Sequence, residues 1–193
     1  MKTMVAAAAS TSVEALQLLL VSLANHPEIQ AKVLAEIQDV LRDPQRDVTT
    51  EDLNSLTYLG QTVQESLRVH GGIVMILRQV TKDINLTSCT LPAGGRIMIP
   101  LHAMGWNPDL FPDPSQFRPE RFSPENLKNR HNSAFLPFSG GSRNCIGKTF
   151  ALAFLKIALV HILRRFRVRS EVRLEDIQYE VTKVNKSGVL LCL

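Results

Sequence analysis

Cysteine is scarce in this sequence. It has three, Cys89, Cys145 and Cys192, an odd number with no C-x-x-C pair. A disulfide framework and a cysteine-rich zinc site are both poor fits on that count, and a reducing compartment is the simpler assumption. No run of like charges reads as a tail, and no internal repeat or low-complexity tract is present. Net charge is only +4, from 22 basic and 18 acidic residues. That suits an acidic partner or an anionic surface and is too small to point to nucleic acid. An unbroken membrane-length apolar run is missing too. Ser10, Thr11, Ser12, Glu14 and Gln17 interrupt the stretch Met1–Ala24, and Lys2 before Val5–Ala9 is a thin signal-peptide pattern. A buried helix is the better reading of that stretch.

What is there suffices for a folded body: 193 residues, 45% hydrophobic and 21% charged. The pattern predicts a first helix over roughly Thr3–Leu23, apolar nearly all round, as for a core helix. Its small run Ala6–Thr11 would let something bulky approach the backbone. Pro27 starts a second helix with the stripe Ile29, Val33, Ile37, Val40 and Leu41. Thr49–Asp52 resembles a helix cap, opening a turn and then a helix from about Leu56 to His70, with Leu56, Leu59, Val63 and Leu67 inward. From Ile73 the texture becomes β-like, with Val74–Val80 and Arg96–Leu101 flanking the turn Pro92–Gly95. A proline-rich segment, Trp106–Pro137, carries enough aromatic anchors to be an ordered, extended coil. A long helix follows, Ile146 to about Arg164, and then strands at Phe166–Arg169, Tyr179–Val184 and Val189–Leu193. His26, His70, His131 and His161 have no constellation and read as surface or helix-end residues.

The chain is organised around Phe138-Ser139-Gly140-Gly141-Ser142-Arg143-Asn144-Cys145-Ile146-Gly147. One cysteine sits in a glycine-rich loop where loop becomes helix. There the partial positive charge of a helix N-terminus favours thiolate. Such a thiolate can be a nucleophile or an axial metal ligand. Phe138 can pack beside it, Gly140 and Gly141 can turn backbone N–H groups toward the sulfur, and Arg143 supplies a cation. No histidine or acid is spaced nearby as a base partner would be.

This frame resembles the haem-ligand loop of the cytochrome P450 superfamily. Glu65-Ser66-Leu67-Arg68 and Pro119-Glu120-Arg121-Phe122 match that family's E-x-x-R and P-E-R-F motifs, in its order. Ser123–Asn126, Arg130-His131 and Ala134–Phe138 look most like the microsomal fatty-acid-hydroxylase branch and its insect relatives. The resemblance implies a mainly α fold with small β-sheets (α+β), namely the C-terminal half of the family's fold. It implies a single partial haem-thiolate domain over 1–193: helices in 1–72, a β-hairpin part in 73–105, coil and ligand loop in 106–147, proximal helix and terminal strands in 148–193. Cys145 would be the axial ligand of haem b, held otherwise without covalent bonds. Phe138, Gly141 and Gly147 would shape the site, and Arg78 and Arg143 would bind propionates. Glu65, Arg68 and Arg121 would form a buried triad. Thr11, beside Ser10, would handle oxygen and protons.

The sequence departs from the family pattern at several places. Ser10 replaces the usual acid and Ala8 the usual glycine; Ala7 stands where a glutamate can bond haem, so no covalent attachment is expected. Gly71-Gly72 replaces prolines, and Gly105 a histidine. The implied reaction inserts one oxygen atom into a small apolar substrate, with electrons from an NADPH-dependent reductase. Lys148, Lys156, Arg164 and Arg165 would help dock that reductase or form a solvated basic face. The full-length parent would sit on the cytosolic face of the endoplasmic reticulum membrane through an N-terminal part, with no anchor in this chain. The membrane anchor, the helices that cap the pocket and a further propionate-holding helix are expected to be absent, and the chain to be poorly stable alone. Two other readings stay open: an inactive fragment that does not hold haem, and a haem-thiolate isomerase or peroxygenase, which Ser10 favours.

Overall fold

Sequence hydropathy sets the core first. The second half of helix α1 (Lys2–Asn25) buries Leu18, Leu19, Leu20, Val21 and Leu23 almost completely. Each such side chain contributes roughly 1.5–3 kcal/mol on leaving water. The computed structural model describes residues 2–43, 45–128, 130–173 and 190–192. The first half of α1 departs from the expected all-round burial: Ala7 to Thr11 are exposed. By length and composition Ala7–Asn25 could also cross a membrane.

Helix α2 (Pro27–Leu41) follows after a single residue, because Pro27 both ends one helix and pre-sets the first turn of the next. Its stripe Ile29, Val33, Ile37 and Leu41 repeats every four residues and is buried to the last member. Between these positions Gln30 is buried and bonded. Its amide donates to Leu23 O (3.2 Å) and Val168 O (3.1 Å) and accepts from Val168 N (2.9 Å), so α2 holds strand β5 (Arg167–Arg169) by its backbone.

Helix α3 (Thr50–Ser55) opens with the expected cap. Thr49 and Asp52 exchange side-chain and backbone hydrogen bonds across the first turn. Arg46 adds a bidentate pair to the Asp52 carboxylate at 2.6 and 2.7 Å. Helix α4 (Thr57–His70) has Leu56 at its N-cap, which cannot cap. The orphan donors go instead to Glu36 on α2, whose carboxylate accepts from Tyr58 N (2.7 Å), Leu59 N (2.8 Å) and the Thr57 hydroxyl (3.0 Å).

Helix α7 (Lys148–Leu163) buries Leu155, Leu159, Val160 and Leu163 against α1, α2 and α4. Lys156 also points inward, its ammonium donating to Leu53 O (2.6 Å) and Leu56 O (3.3 Å) at the end of α3. Burial pushes its pKa down. Gly60 leaves the room: a Cβ there would lie 3.2 Å from Lys156 Cε. Arg164 donates to Arg46 O (3.0 Å). Two of the four basic residues expected to face a partner are thus tied to the protein's own carbonyls.

The β-structure among the described residues is three two-stranded antiparallel pairs. β1 (Ile76–Gln79) pairs with β4 (Arg96–Ile99), with Arg78 opposite Ile97. β2 (Ile84–Asn85) pairs with β3 (Thr90–Leu91), and β5 with β6 (Leu190–Cys192). The expected strand Tyr179–Val184 lies outside the described residues. The mainly α fold with small sheets is as the sequence implied. The proline-rich segment is less extended than expected. Short helices α5 (Leu101–Gly105) and α6 (Pro124–Leu127) bracket or interrupt it, with 3₁₀ turns at Pro119–Phe122 and Asn132–Ala134.

The Asp52 carboxyl is held well below the usual carboxylate range, first by the Arg46 guanidinium and then by the Thr49 N–H. A depressed folded-state pKa contributes stability that is full above an unfolded value of about 3.9 and is lost as pH falls through the folded value. Asp52→Asn is therefore expected to melt below the wild type at pH 7, with the gap closing in acid. Thermal unfolding between neutral pH and about pH 2 checks this.

Candidate functional site

The site is built outward from one buried carboxylate. Glu65 and Arg68 lie one turn apart on α4 and are both almost fully buried. Arg68 donates to Glu65 through Nε and Nη2, both at 2.8 Å, a bidentate fork. Arg118 N donates to Glu65 Oε1 at 2.8 Å. Arg121 reaches the same carboxylate with Nε at 3.3 Å, close enough for an ion pair but too misaligned for a hydrogen bond. Its Nη atoms donate to Pro112 O and Asp113 O, both at 2.6 Å. Arg68 adds bonds to Gly105 O (2.7 Å) and Gln116 O (3.2 Å). Burial lowers the Arg121 pKa, with Glu65 opposing. The two guanidiniums thereby take up carbonyls of a coil that has no sheet or long helix to pair with.

Gly105 belongs to this cluster. A Cβ there would stand 2.7 Å from Arg68 O, so the position is sterically closed to any larger side chain.

Aromatic contacts carry the order onward. Phe111, Phe122 and Phe135 form a tilted cluster, with Phe122 and Phe135 centroids 4.8 Å apart. The Arg130 guanidinium lies over Phe111 (4.5 Å) and Phe122 (5.3 Å). A small cavity lined by Arg68, Gly105, Phe135, Leu136 and Pro137 joins the charge cluster to the loop that follows.

That loop is closed by its own backbone. Ser139 N donates to Leu136 O (3.0 Å), Cys145 N to Phe138 O (2.9 Å) and Asn144 N to Gly141 O (3.2 Å). Gly141, at φ +75°, takes a conformation that glycine accepts without steric penalty, at the start of the 3₁₀ turn Gly141–Arg143. Phe138 is half-buried, while Arg143 and the Cys145 thiol are exposed. Helix α7 begins three residues after the cysteine, later than expected. A Cβ at Gly147 would lie 3.8 Å from Cys145 Sγ, so glycine keeps one side of the sulfur open. Arg78 comes to the loop from β1, and its Nη2 donates to Ser139 Oγ at 3.0 Å.

The structure therefore gathers Glu65, Arg68 and Arg121 in one cluster and Arg78, Phe138, Gly141, Arg143, Cys145 and Gly147 in or against one loop. Ser10 and Thr11 belong to the exposed stretch of α1, and the Thr11 hydroxyl donates to Ala7 O at 2.7 Å, within its own helix. Two histidines lie at helix ends, as expected, but are drawn inward. His70 is buried at the end of α4, and His26 stacks on Phe117 with centroids 4.9 Å apart while bonding Ser22 O. Sequence reasoning also missed Arg130 and Glu36, whose partners are far along the chain or are aromatic faces.

A helical α+β body with a buried Glu–Arg–Arg cluster behind an exposed cysteine loop defines the class of protein. The family model described as cytochrome P450 matches residues 1–192, and the chain belongs to that family. It is similar to cytochrome P450 4c21 of Blattella germanica (39% identical, over 86% of this chain and 33% of the relative). It is likewise similar to cytochrome P450 4F2 of Homo sapiens (42%, over 82% and 31%). A third relative is leukotriene-B4 omega-hydroxylase 3 of Mus musculus (41%, over 82% and 30%). The chain thus spans about a third of the length of these relatives. The resemblance to the hydroxylase branch and its insect members holds.

The family implies haem, and the residues present fit it. Among the described residues no group of three or more His, Cys, Asp or Glu could hold a metal ion by itself. A thiol alone serves a metal that brings its own donors, and a tetrapyrrole brings four. An exposed thiol at Cys145, the cations Arg78 and Arg143, and exposed apolar Ile146 and Phe150 have the chemistry that its iron, its carboxylates and its ring would call for.

Removing the central charge tests the cluster. Glu65→Gln leaves buried guanidiniums facing each other, which is expected to destabilise by about 3–5 kcal/mol. The thermal midpoint should fall by roughly 6–20 °C in a protein of this size.

Proposed function

We propose that this chain carries the haem-binding site of a monooxygenase that inserts one oxygen atom into a small apolar substrate, with the Cys145 thiolate as axial ligand. The observation that supports it best is the exposed thiol on a backbone-closed loop, to which β1 delivers Arg78 from 61 residues away. Haem, when bound, supplies the redox chemistry, and a thiolate ligand favours O–O cleavage. The rest is the work of this chain's residues. Arg78 and Arg143 bind the propionates as cations. Phe138 and Gly147 flank the sulfur, one by packing and the other by leaving space. The Glu65–Arg68–Arg121 cluster keeps the coil, and through it the loop, in place. Thr11, with Ser10, would relay protons. The division of 1–193 into a helical part, a hairpin part, a coil with the ligand loop, and a proximal helix with terminal strands belongs to the same reading.

Electrons come from an NADPH-dependent reductase, toward which Lys148 and Arg165 remain as docking cations once Lys156 and Arg164 are discounted. The parent protein works at the endoplasmic reticulum membrane, on its cytosolic face. The name of one relative, leukotriene-B4 omega-hydroxylase 3, supports an apolar substrate.

A second reading has its own observation. The Thr11 proton is committed to Ala7 O, and Ser10 has no acidic proton to supply. An isomerase or a peroxide-using enzyme needs neither. Turnover with reductase and NADPH, compared with turnover on peroxide, separates the two.

The primary test is the reduced, carbon-monoxide-bound spectrum of the purified chain loaded with haem. A strongly red-shifted Soret band that vanishes in Cys145→Ser is expected. Absence of haem uptake would overturn the proposal and leave the inactive reading, and an unchanged band in Cys145→Ser would overturn the ligand.

A further inference from the structure

Ser139 holds a backbone conformation that its own chemistry does not favour. Its φ is 61°, the left-handed region, where an L side chain crowds the following carbonyl oxygen. Gly140 follows directly, so a glycine one position earlier would have met the turn without strain. The residue sits between the two backbone bonds that close the cysteine loop, Ser139 N to Leu136 O and Cys145 N to Phe138 O. What serine adds over glycine is its hydroxyl. Ser139 Oγ accepts from Arg78 Nη2 at 3.0 Å, while Arg78 Nη1 donates to Leu77 O at 2.9 Å.

Those two bonds fix the plane of the guanidinium. Five N–H donors lie in that plane, and two are engaged, so three are left pointing in set directions. Arg78 is also on the half-buried face of β1, which restricts where its stem can run. An untethered surface arginine would lose much rotamer entropy on binding an anion; this one has lost part of it already.

We propose that Ser139 is a positioning residue. Its hydroxyl fixes Arg78 against the cysteine loop, so that the remaining guanidinium donors are presented to a carboxylate on the edge of the bound cofactor. The proposal rests on the reading of Cys145 as the axial ligand of haem. It assigns to the serine a role in anion recognition, beyond the turn itself.

The test measures uptake of haem and of haem dimethyl ester by the full chain, each followed by Soret titration. The ester keeps the ring and iron but has no carboxylate charge. Wild type is expected to prefer haem, and Arg78→Ala to lower that preference roughly tenfold, the scale of one charge-assisted hydrogen bond. Ser139→Ala and Ser139→Gly are expected to lower it by a comparable factor, with no further loss when either is combined with Arg78→Ala. Ser139→Gly relieves the positive φ, so it separates the tether from the strain and carries the test if the alanine variant does not fold. Ser139→Asn, which tolerates this φ and keeps an acceptor, is expected to retain most of the preference. Were the serine merely structural, both ligands would weaken together and the ratio would stay at the wild-type value, which overturns the proposal. An undiminished ratio in Arg78→Ala overturns it as well. Wild type that takes up neither ligand overturns both the proposal and the reading beneath it.

Discussion

A single carboxylate, Glu65, fully buried between two guanidiniums, is the constraint on which the rest depends. A charge removed from water this completely is tolerable only with close partners and satisfied lone pairs. Glu65 has both: the Arg68 fork, the Arg118 amide and the Arg121 ion pair. The consequence lies less in the pair than in what the guanidiniums do with their other donors. Gly105 O, Pro112 O, Asp113 O and Gln116 O all end on Arg68 or Arg121. Gly105 ends α5, and the other three carbonyls belong to a proline-rich coil that could not have paired them in a sheet. Charge at the centre therefore substitutes for regular structure.

From that coil the order passes to the site by packing. Phe111 lies under Arg68 and Arg130, Phe122 stacks near Phe135, and Phe135 leads through Leu136 and Pro137 into the cysteine loop. The helices stand behind as a platform, with α1, α2, α4 and α7 sharing one apolar core. The thiol itself stays exposed on a surface loop. Rigid support and an exposed thiol are thus supplied by different layers of the same chain.

Much of this was legible in the sequence because the forces were local. The four-residue spacing Ile29, Val33, Ile37 and Leu41 gave α2, and Thr49 with Asp52 announced α3. The turn Pro92–Gly95 placed β1 against β4. In the site, Glu65 and Arg68 are one turn apart, and the cysteine frame is contiguous. What stayed hidden was non-local or depended on shape. Leu56 cannot cap α4, and its substitute, Glu36, lies on the preceding long helix. Lys156 reads as a surface cation until Gly60 opens a place for it beside the end of α3. His70 is buried and Arg130 is half-buried over Phe111, by neighbours that no periodicity names. The exposed start of α1 reads as core because composition records apolarity and not what lies alongside.

The central claim is that the buried carboxylate governs the loop that presents the thiol, and amide hydrogen exchange tests it most directly. In Glu65→Gln faster exchange is expected at Arg118, whose acceptor loses its charge. Faster exchange is also expected at Cys145, whose N–H closes the loop on Phe138 O, while Val33 and Ile37 in the core of α2 keep their protection. Acceleration confined to Arg118, with Cys145 exchanging as in the wild type, would contradict it.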